Sequence, residues 1–208
     1  VDFDNQGCFE IVEYLTLTLK EVGDLFPLSL KIFKEQDLPP LGFARVLLAS
    51  LFIDPLKTLQ ILEQNNETVR VFEIWYNLST VLNNVYGLKL QSLALLSLLS
   101  APQLPQSIEA FIPQFGQKLI SSIEKLPEAL HKRQALLKGD HQEDGDDDYD
   151  DDEDSFKDTP LDDVNIFMEF KVKFGGLQSA IPDRYNAIMG SLTPDKVNAT
   201  NSLLNLSQ

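Results

Sequence analysis

The sequence has one cysteine, two histidines and no long apolar run, and each shortage excludes a class of protein. The single cysteine, Cys8, excludes an internal disulfide and is typical of a reducing compartment. The densest apolar stretch, residues 88–99, is interrupted by Lys89 and Gln91 and is shorter than the roughly 18 residues of a membrane-spanning helix. We therefore expect no membrane insertion.

Motifs for catalysis, phosphate binding and metal binding are also missing. There is no glycine-rich phosphate loop, no Gly-x-Ser-x-Gly and no Cys-x-x-Cys. His131 and His141 lie in a charged stretch, and Cys8 lies in an apolar pattern that favours a place in the core. The sequence therefore predicts a protein that is not an enzyme and that uses no cofactor or metal.

Basic residues are few, since 17 Lys and Arg stand against 32 Asp and Glu. The resulting negative charge has the wrong sign for binding phosphates, and basic patches with interleaved aromatic residues are missing. Nucleic acid is therefore not expected as a partner.

Most of the acidity lies in one segment, whose centre reads EDGDDDYDDDED. Residues 140–163 hold 14 Asp or Glu and one Lys, so their net charge of −13 accounts for most of the −15 of the chain. Because like charges repel and cannot bury apolar area, we expect residues 139–159 to form a disordered acidic loop. Its spacing lacks the sixth-position Gly and twelfth-position Glu of a calcium-binding loop. A passive, solubilising spacer remains the alternative to a contact for a basic partner, for which the candidate residues are Glu143, Asp144, Asp146, Asp147, Asp148, Asp150, Asp151, Asp152, Glu153 and Asp154.

Apolar residues recur at helical spacing throughout residues 1–138, with no convincing strand alternation. Asp54-Pro55 is a helix start signal, and Phe72 and Trp75 are three residues apart on a face that we expect in the core. Gly87 is expected to separate two helices. The predicted helices cover about residues 8–22, 25–36, 41–52, 55–65, 67–83, 88–100 and 106–138, with Pro113 or Pro127 kinking or splitting the last; the expected inward residues of the first two are Cys8, Ile11, Val12, Leu15, Leu19 and Val22, then Leu28, Ile32 and Phe33.

Helices of this length with short joints predict an all-α fold, a HEAT-repeat-type helical solenoid in which helix pairs stack side by side. We assign residues 1–138 to HEAT-like repeats, 139–159 to the acidic loop and 160–208 to a short helical tail. In the tail, Asp162-Asp163 are expected to cap a helix over 164–174 that ends at Gly175-Gly176. Pro182 and Thr193-Pro194 are expected to open two further helices.

The chain begins at Val1 rather than at Met, and we expect it to be an excised piece of a longer protein. A solenoid cut at this end would expose the face on which the preceding repeat packs. We therefore expect a contiguous apolar patch on the helix that carries Ile11, Leu15 and Leu19, or on its neighbour.

Three features in order resemble a known family. ETVRVFEIWYNL and VYGLKLQSLALLSLLS come first, the acidic tract follows, and TPLDDVNIFMEFKVKF runs on to PDRYNAIMGSLTPDKVNA. This order resembles the C-terminal region of karyopherin-β nuclear transport receptors, in the importin-seven/eight branch and its fungal relatives. The matching positions are Phe72, Trp75, Gly87-Leu88, Leu93 to Leu99, Pro160 to Asp163, Phe167, Tyr185 and Ala187, with Asp54 to Leu59 as a looser match.

The resemblance implies a superhelix of HEAT repeats that shuttles between cytoplasm and nucleus through the nuclear pores. It implies basic protein cargo, FG-repeat nucleoporins as partners, and the small GTPase Ran, bound through repeats outside these 208 residues. The alternative is a helical-repeat adaptor or chaperone for basic proteins with no Ran or pore role.

Ser155 and Thr159 are candidate phosphorylation sites. Each has an aspartate three residues later, Asp158 and Asp162, which is the spacing that acidophilic kinases favour. A phosphate would add about −1.5 to −2 charges to this segment.

Overall fold

The computed structural model describes residues 5–35, 41–138 and 159–205, which form eleven helices and no strand. The all-α prediction is therefore confirmed for these residues, whereas the predicted acidic contacts lie outside them. None of the described helices is both long enough and apolar enough to cross a bilayer. The helices are α1 (Asn5–Leu19), α2 (Leu25–Lys34), α3 (Leu41–Ile53), α4 (Pro55–Gln64), α5 (Thr68–Leu78), α6 (Val85–Ser100), α7 (Gln106–Glu109), α8 (Ile112–Leu137), α9 (Ile166–Ala180), α10 (Pro182–Gly190) and α11 (Pro194–Leu204).

The long helices pack in series. α1 packs mainly on α3, α3 also on α6, and α6 on α8, so the main contacts run across the molecule in one row. This arrangement is compatible with an α-solenoid. α6 is buried almost all round, because it has α3, α8 and α9 as neighbours.

The C-terminal helices α9–α11 belong to the same core. α9 packs on α6, α10 packs on α8 and α9, and α11 packs on α9. Phe170 and Phe174 of α9 stack with ring centroids 4.8 Å apart and are fully buried. The segment after the acidic tract is therefore packed against the helices that precede it.

Several helix ends agree with the expected caps. The side chain of Asp54 accepts a hydrogen bond of 2.9 Å from the backbone N–H of Lys57, with Pro55 at the first helical position of α4. α10 and α11 likewise begin at prolines, Pro182 and Pro194, although no side-chain cap from Thr193 accompanies the latter. The helix predicted over residues 106–138 is split in two, since α7 ends at Glu109 and α8 begins at Ile112, just before Pro113. Pro127 lies inside α8.

Three glycines predicted to separate or end helices, Gly87, Gly175 and Gly176, lie inside them. The side chain of Asn84 caps α6 by accepting a 2.7 Å hydrogen bond from the N–H of Gly87, so Gly87 belongs to the first turn of that helix. α9 runs through Gly175 and Gly176 because Leu177, directly after them, is buried in the core. Burial of that leucine outweighs the low helix propensity of glycine.

The predicted first helix extends too far. α1 ends at Leu19, since Lys20 and Gly23 both have positive φ angles of 55° and 49°. In α2, Leu28 is exposed, whereas Phe33 is buried as predicted and Phe26 and Leu30 are buried with it. The rings of Phe26 and Phe33 stack on that of Phe43 in α3.

Candidate protein-interaction surface

The α1 surface carries an exposed apolar patch formed by Ile11, Tyr14, Leu15 and Leu19. The exposed fractions are 62% for Ile11, 56% for Tyr14 and 63% for Leu19, while Leu15 is half-buried. These residues lie at helical spacing on one side of the helix, so they form a stripe about two turns long. The apolar patch expected near the N-terminus is therefore present, and we call it the α1 patch.

The buried face of α1 is a different one from the face predicted. Phe9, Glu13 and Leu17 point into the molecule, although the apolar spacing predicted that Cys8, Ile11 and Leu19 would do so. Cys8 is exposed, so its expected place in the core was wrong. The physical reason is that α1 has apolar residues on both sides, and the side with Phe9 finds an aromatic partner in Phe43 of α3, at a centroid separation of 6.0 Å.

A buried ionic cluster holds α1 to α3 and α6. Glu13 is only 2% exposed, and its Oε2 lies 2.9 Å from Nε of Arg45 in α3. The hydroxyl of Tyr86 in α6 donates to Glu13 Oε1, and the Arg45 guanidinium lies 5.0 Å from the centre of the Tyr86 ring. The carboxylate thus has two partners from two helices, as a buried charge requires.

The pKa of Tyr86 is raised well above its usual range. Burial of the phenol is the main cause, and the charge of Glu13 and the hydrogen bond to it act in the same direction. Tyr86 therefore stays protonated and remains the donor to Glu13. The cluster therefore connects α1 to α3 and α6 through side-chain contacts.

A cavity of about 550 Å³ opens beside this cluster. Ile11, Tyr14 and Leu15 of the α1 patch form its apolar wall, and Arg45 and Tyr86 form its polar wall. Thr159 and Pro160, which follow the acidic tract in sequence, line the same cavity. The α1 patch and the first described residues of the C-terminal segment therefore share one concave surface.

The turn at residues 159–162, here called the Thr159 turn, attaches the C-terminal segment to α6 and α8. Lys89 of α6 donates from Nζ to the carbonyl oxygens of Leu161 and Asp162, at 2.8 and 2.9 Å. Arg133 of α8 donates to Asp162 Oδ1 at 3.1 Å. The side chain of Leu161 is buried in the core.

Asp162 does not cap a helix, although the sequence predicted that it would. Its carboxylate takes part in the ion pair with Arg133 and in the turn, and α9 begins at Ile166 with Asn165 as its cap.

A second attachment uses Arg184 of α10. Its Nη1 donates to the carbonyl oxygens of Leu99 and Ala101, each at 2.6 Å, at the carboxyl end of α6. These are carbonyl groups that a helix end leaves without an intrahelical partner.

Sequence reasoning missed Glu13, Arg45, Lys89 and Arg184 as structural residues. A signal existed for Arg45 and Lys89, because each is the lone charged residue of an apolar helical run, where burial requires a partner. Nothing in the sequence indicates which partner each one takes.

In the ranges that the structure describes, no three His, Cys, Asp or Glu residues are arranged to hold a metal ion. Comparisons of this chain with protein-family models, with curated proteins and with solved structures find no match.

Proposed function

We propose that this chain is a HEAT-repeat segment of a nuclear import receptor of the importin-β family, which carries basic protein cargo through nuclear pores. The α1 patch is the observation that carries the proposal. An apolar stripe of about two helical turns at one end of a serial row of helices suits the packing of a further helix pair. The order of sequence features that resembles the karyopherin-β family supports the same reading.

The proposed role of the chain is binding. A solenoid offers a long concave surface to its cargo, and a dense acidic tract in the same chain attracts basic proteins and disfavours acidic ones. The tract is connected at both ends to packed elements, since α8 ends at Leu137 and the Thr159 turn is attached to α6 and α8. Contact between the tract and bound cargo is therefore intramolecular, which raises its effective concentration.

Cargo binding tests the contribution of the acidic tract. Six aspartates of the native protein are replaced by serine, and the affinity for a purified histone or ribosomal protein is measured at several salt concentrations. We expect roughly tenfold weaker binding and a smaller salt dependence, because exposed charges are screened within about 8 Å at physiological ionic strength. The replaced residues are Asp146, Asp147, Asp148, Asp150, Asp151 and Asp152.

A matched control variant removes the same number of charges from the described surface. The control variant should keep its affinity for the cargo if the tract itself makes the contact. Equal losses of affinity in the two variants would mean that the net charge of the protein, and not the tract, determines binding. If the tract variant binds the cargo with unchanged affinity and unchanged salt dependence, the tract is a passive spacer. The control positions are Glu21, Glu35, Glu73, Glu128, Asp183 and Asp195, all exposed.

The Ran GTPase separates an import receptor from an adaptor. Ran loaded with a non-hydrolysable GTP analogue should release the cargo from the native protein, and Ran loaded with GDP should not. Immobilised FG-repeat peptide should retain the native protein. Cargo binding without release by Ran and without retention on FG repeats would instead support an adaptor or chaperone for basic proteins.

A further inference from the structure

Thr159 is the residue on which the Thr159 turn is built. Its backbone N–H and its hydroxyl lie 3.0 Å from Asp162 Oδ2 and Oδ1, respectively, and both donate to that carboxylate. The hydroxyl oxygen also accepts from the N–H of Leu161 at 3.3 Å, and the carbonyl oxygen accepts from the N–H of Asp162 at 3.1 Å. The backbone and the hydroxyl of Thr159 therefore both contribute to closing the turn.

The Thr159 turn is also one of two polar attachments of the C-terminal segment described above. The carbonyl oxygens that Lys89 binds and the carboxylate that Arg133 binds both belong to this turn. Lys89 is buried in the closed arrangement. Opening the turn would therefore withdraw the partners of a buried ammonium group and expose it to water.

We propose that Thr159 is a phosphorylation site and that its phosphate releases the Thr159 turn from α6 and α8. Thr159 lines the cavity beside α1, and it is followed by Pro160 and, three residues later, by Asp162. These neighbours fit kinases directed by a following proline or by a downstream acidic residue. The inference does not depend on the import function.

The chemistry is a phosphoryl transfer from ATP. A P–O bond forms at Thr159 Oγ1 while the bond between the γ-phosphorus and the bridging oxygen of ADP breaks, and the hydroxyl proton passes to the base of the kinase. The product carries about −1.5 to −2 charges and has lost the O–H donor. Its oxygens would lie against the Asp162 carboxylate, where the hydroxyl now lies at 3.0 Å.

The surrounding cations do not offset this repulsion. Arg133 is already paired with Asp162, and Lys89 Nζ is bound to two carbonyl oxygens, with Asp163 as a further nearby negative charge. Closure of the turn would therefore place a phosphate and a carboxylate against one shared arginine. The closed turn is disfavoured, and Leu161 and Lys89 become exposed.

The same geometry sets when the kinase can act. A kinase binds its substrate in an extended form, whereas Leu161 is buried and the Thr159 hydroxyl is hydrogen-bonded in the closed turn. Modification therefore takes place on the open turn, and the phosphate keeps it open.

The first experiment measures the modification itself. The full chain is incubated with ATP and either a proline-directed or an acidophilic serine/threonine kinase, and phosphopeptides are mapped by mass spectrometry. We expect phosphate on Thr159, at a rate raised severalfold by Arg133→Gln, which loosens the turn. The exposed neighbour substitution Lys132→Gln should leave the rate unchanged. Absence of phosphate on Thr159 in both the parent chain and Arg133→Gln would overturn the proposal.

The second experiment measures release of the turn. In the phosphorylated chain, the amides of Leu161 and Val164 should exchange roughly tenfold faster, and Lys89 should react faster with an amine-acylating reagent. Thr159→Val, which loses the donor without adding charge, should show a smaller increase. Thr159→Ala treated with the same kinase controls for phosphate at other positions. A phosphorylated Thr159 with unchanged exchange and unchanged Lys89 reactivity would equally overturn the proposal.

Discussion

Arg184 joins two parts of the chain that are more than 80 positions apart. Its guanidinium donates to Leu99 and Ala101 at the end of α6, where carbonyl groups would otherwise face the packed α10 without a donor. The arginine is largely buried, and its guanidinium donates to both oxygens. A methionine of similar length could fill the space but could not donate.

We predict that Arg184→Met lowers the free energy of unfolding by about 2–3 kcal/mol, because two carbonyl groups lose a charged donor. Urea denaturation of both chains measures the difference. Lys132→Met, at an exposed position of α8, is the control and should change stability by no more than about 0.5 kcal/mol. Equal stability of Arg184→Met and the parent chain would mean that the hydrogen bonds contribute nothing net.

Asp162 should make the molecule sensitive to acid. Partial burial opposes ionisation of its carboxyl, but hydrogen bonds from Arg133 and Thr159 outweigh burial and lower the pKa of Asp162 below its usual value of 3.8. The stability that this carboxylate contributes is therefore fully present above pH 3.8 and is lost as pH falls through the lower pKa of the folded state.

The measurement is the urea midpoint at about pH 5 and about pH 3, for the parent chain and Asp162→Asn. The parent chain should lose more stability on acidification than Asp162→Asn, because the asparagine has no proton to gain. The two chains would lose equal stability if the ion pair with Arg133 had no energetic role.

At the scale of elements, α1 offers an internal comparison between its two faces. Leu17 and Leu19 lie two residues apart, with exposed fractions of 5% and 63%. Leu17→Ala should cost about 2–4 kcal/mol of unfolding free energy, and Leu19→Ala no more than about 0.5 kcal/mol. Thermal or urea unfolding of the two variants tests this. The opposite ranking would mean that the originally predicted face of α1 is the buried one.

The crossing of α8 and α10 depends on a glycine. A Cβ atom added to Gly116 would lie 2.8 Å from Cγ1 of Ile188 and closer still to its Cγ2. Gly116→Ala should therefore destabilise the fold by about 1–3 kcal/mol. Gly176→Ala, in α9 with open space around it, should be neutral or stabilise by about 0.5–1 kcal/mol. Combination with Ile188→Ala should reduce the cost at Gly116 if the clash is its cause.

The positions of most helices could be predicted from apolar spacing and from signals such as Asp54-Pro55, because these depend on neighbours in the chain. The orientation of α1 could not, since it carries apolar residues on both sides and the choice is made by Phe43 and Arg45 in α3. The continuity of α9 through two glycines depends likewise on the burial of Leu177. The orientation of α1 and the continuity of α9 are decided by contacts between helices, and the spacing of apolar residues in the sequence carries no information about those contacts.

At the scale of the whole molecule, α6 is the helix around which the others pack. It has main contacts with α3, α8 and α9. By comparison, α1 packs mainly on α3 and α2, and α11 packs mainly on α9. Its amides should therefore open only on global unfolding and exchange most slowly with deuterium. Amides of α1 and α11 should exchange faster by local opening. Hydrogen exchange resolved by mass spectrometry tests this order, which would be wrong if α1 proved as protected as α6.

The packing of α9 and α10 on α6 and α8 has a consequence for the connectivity of the chain. α9 packs on α6 and α10 packs on α8, both of which precede residue 139 in sequence, and Ile166, Phe170, Leu177 and Ile188 of these two helices are buried. Lys89 and Arg184 add polar contacts across the same boundary. The peptide bonds of residues 139–158 are therefore not what holds the two parts together. A single cut in that interval would leave a split protein, whose two fragments could be produced separately and reassembled as a noncovalent complex.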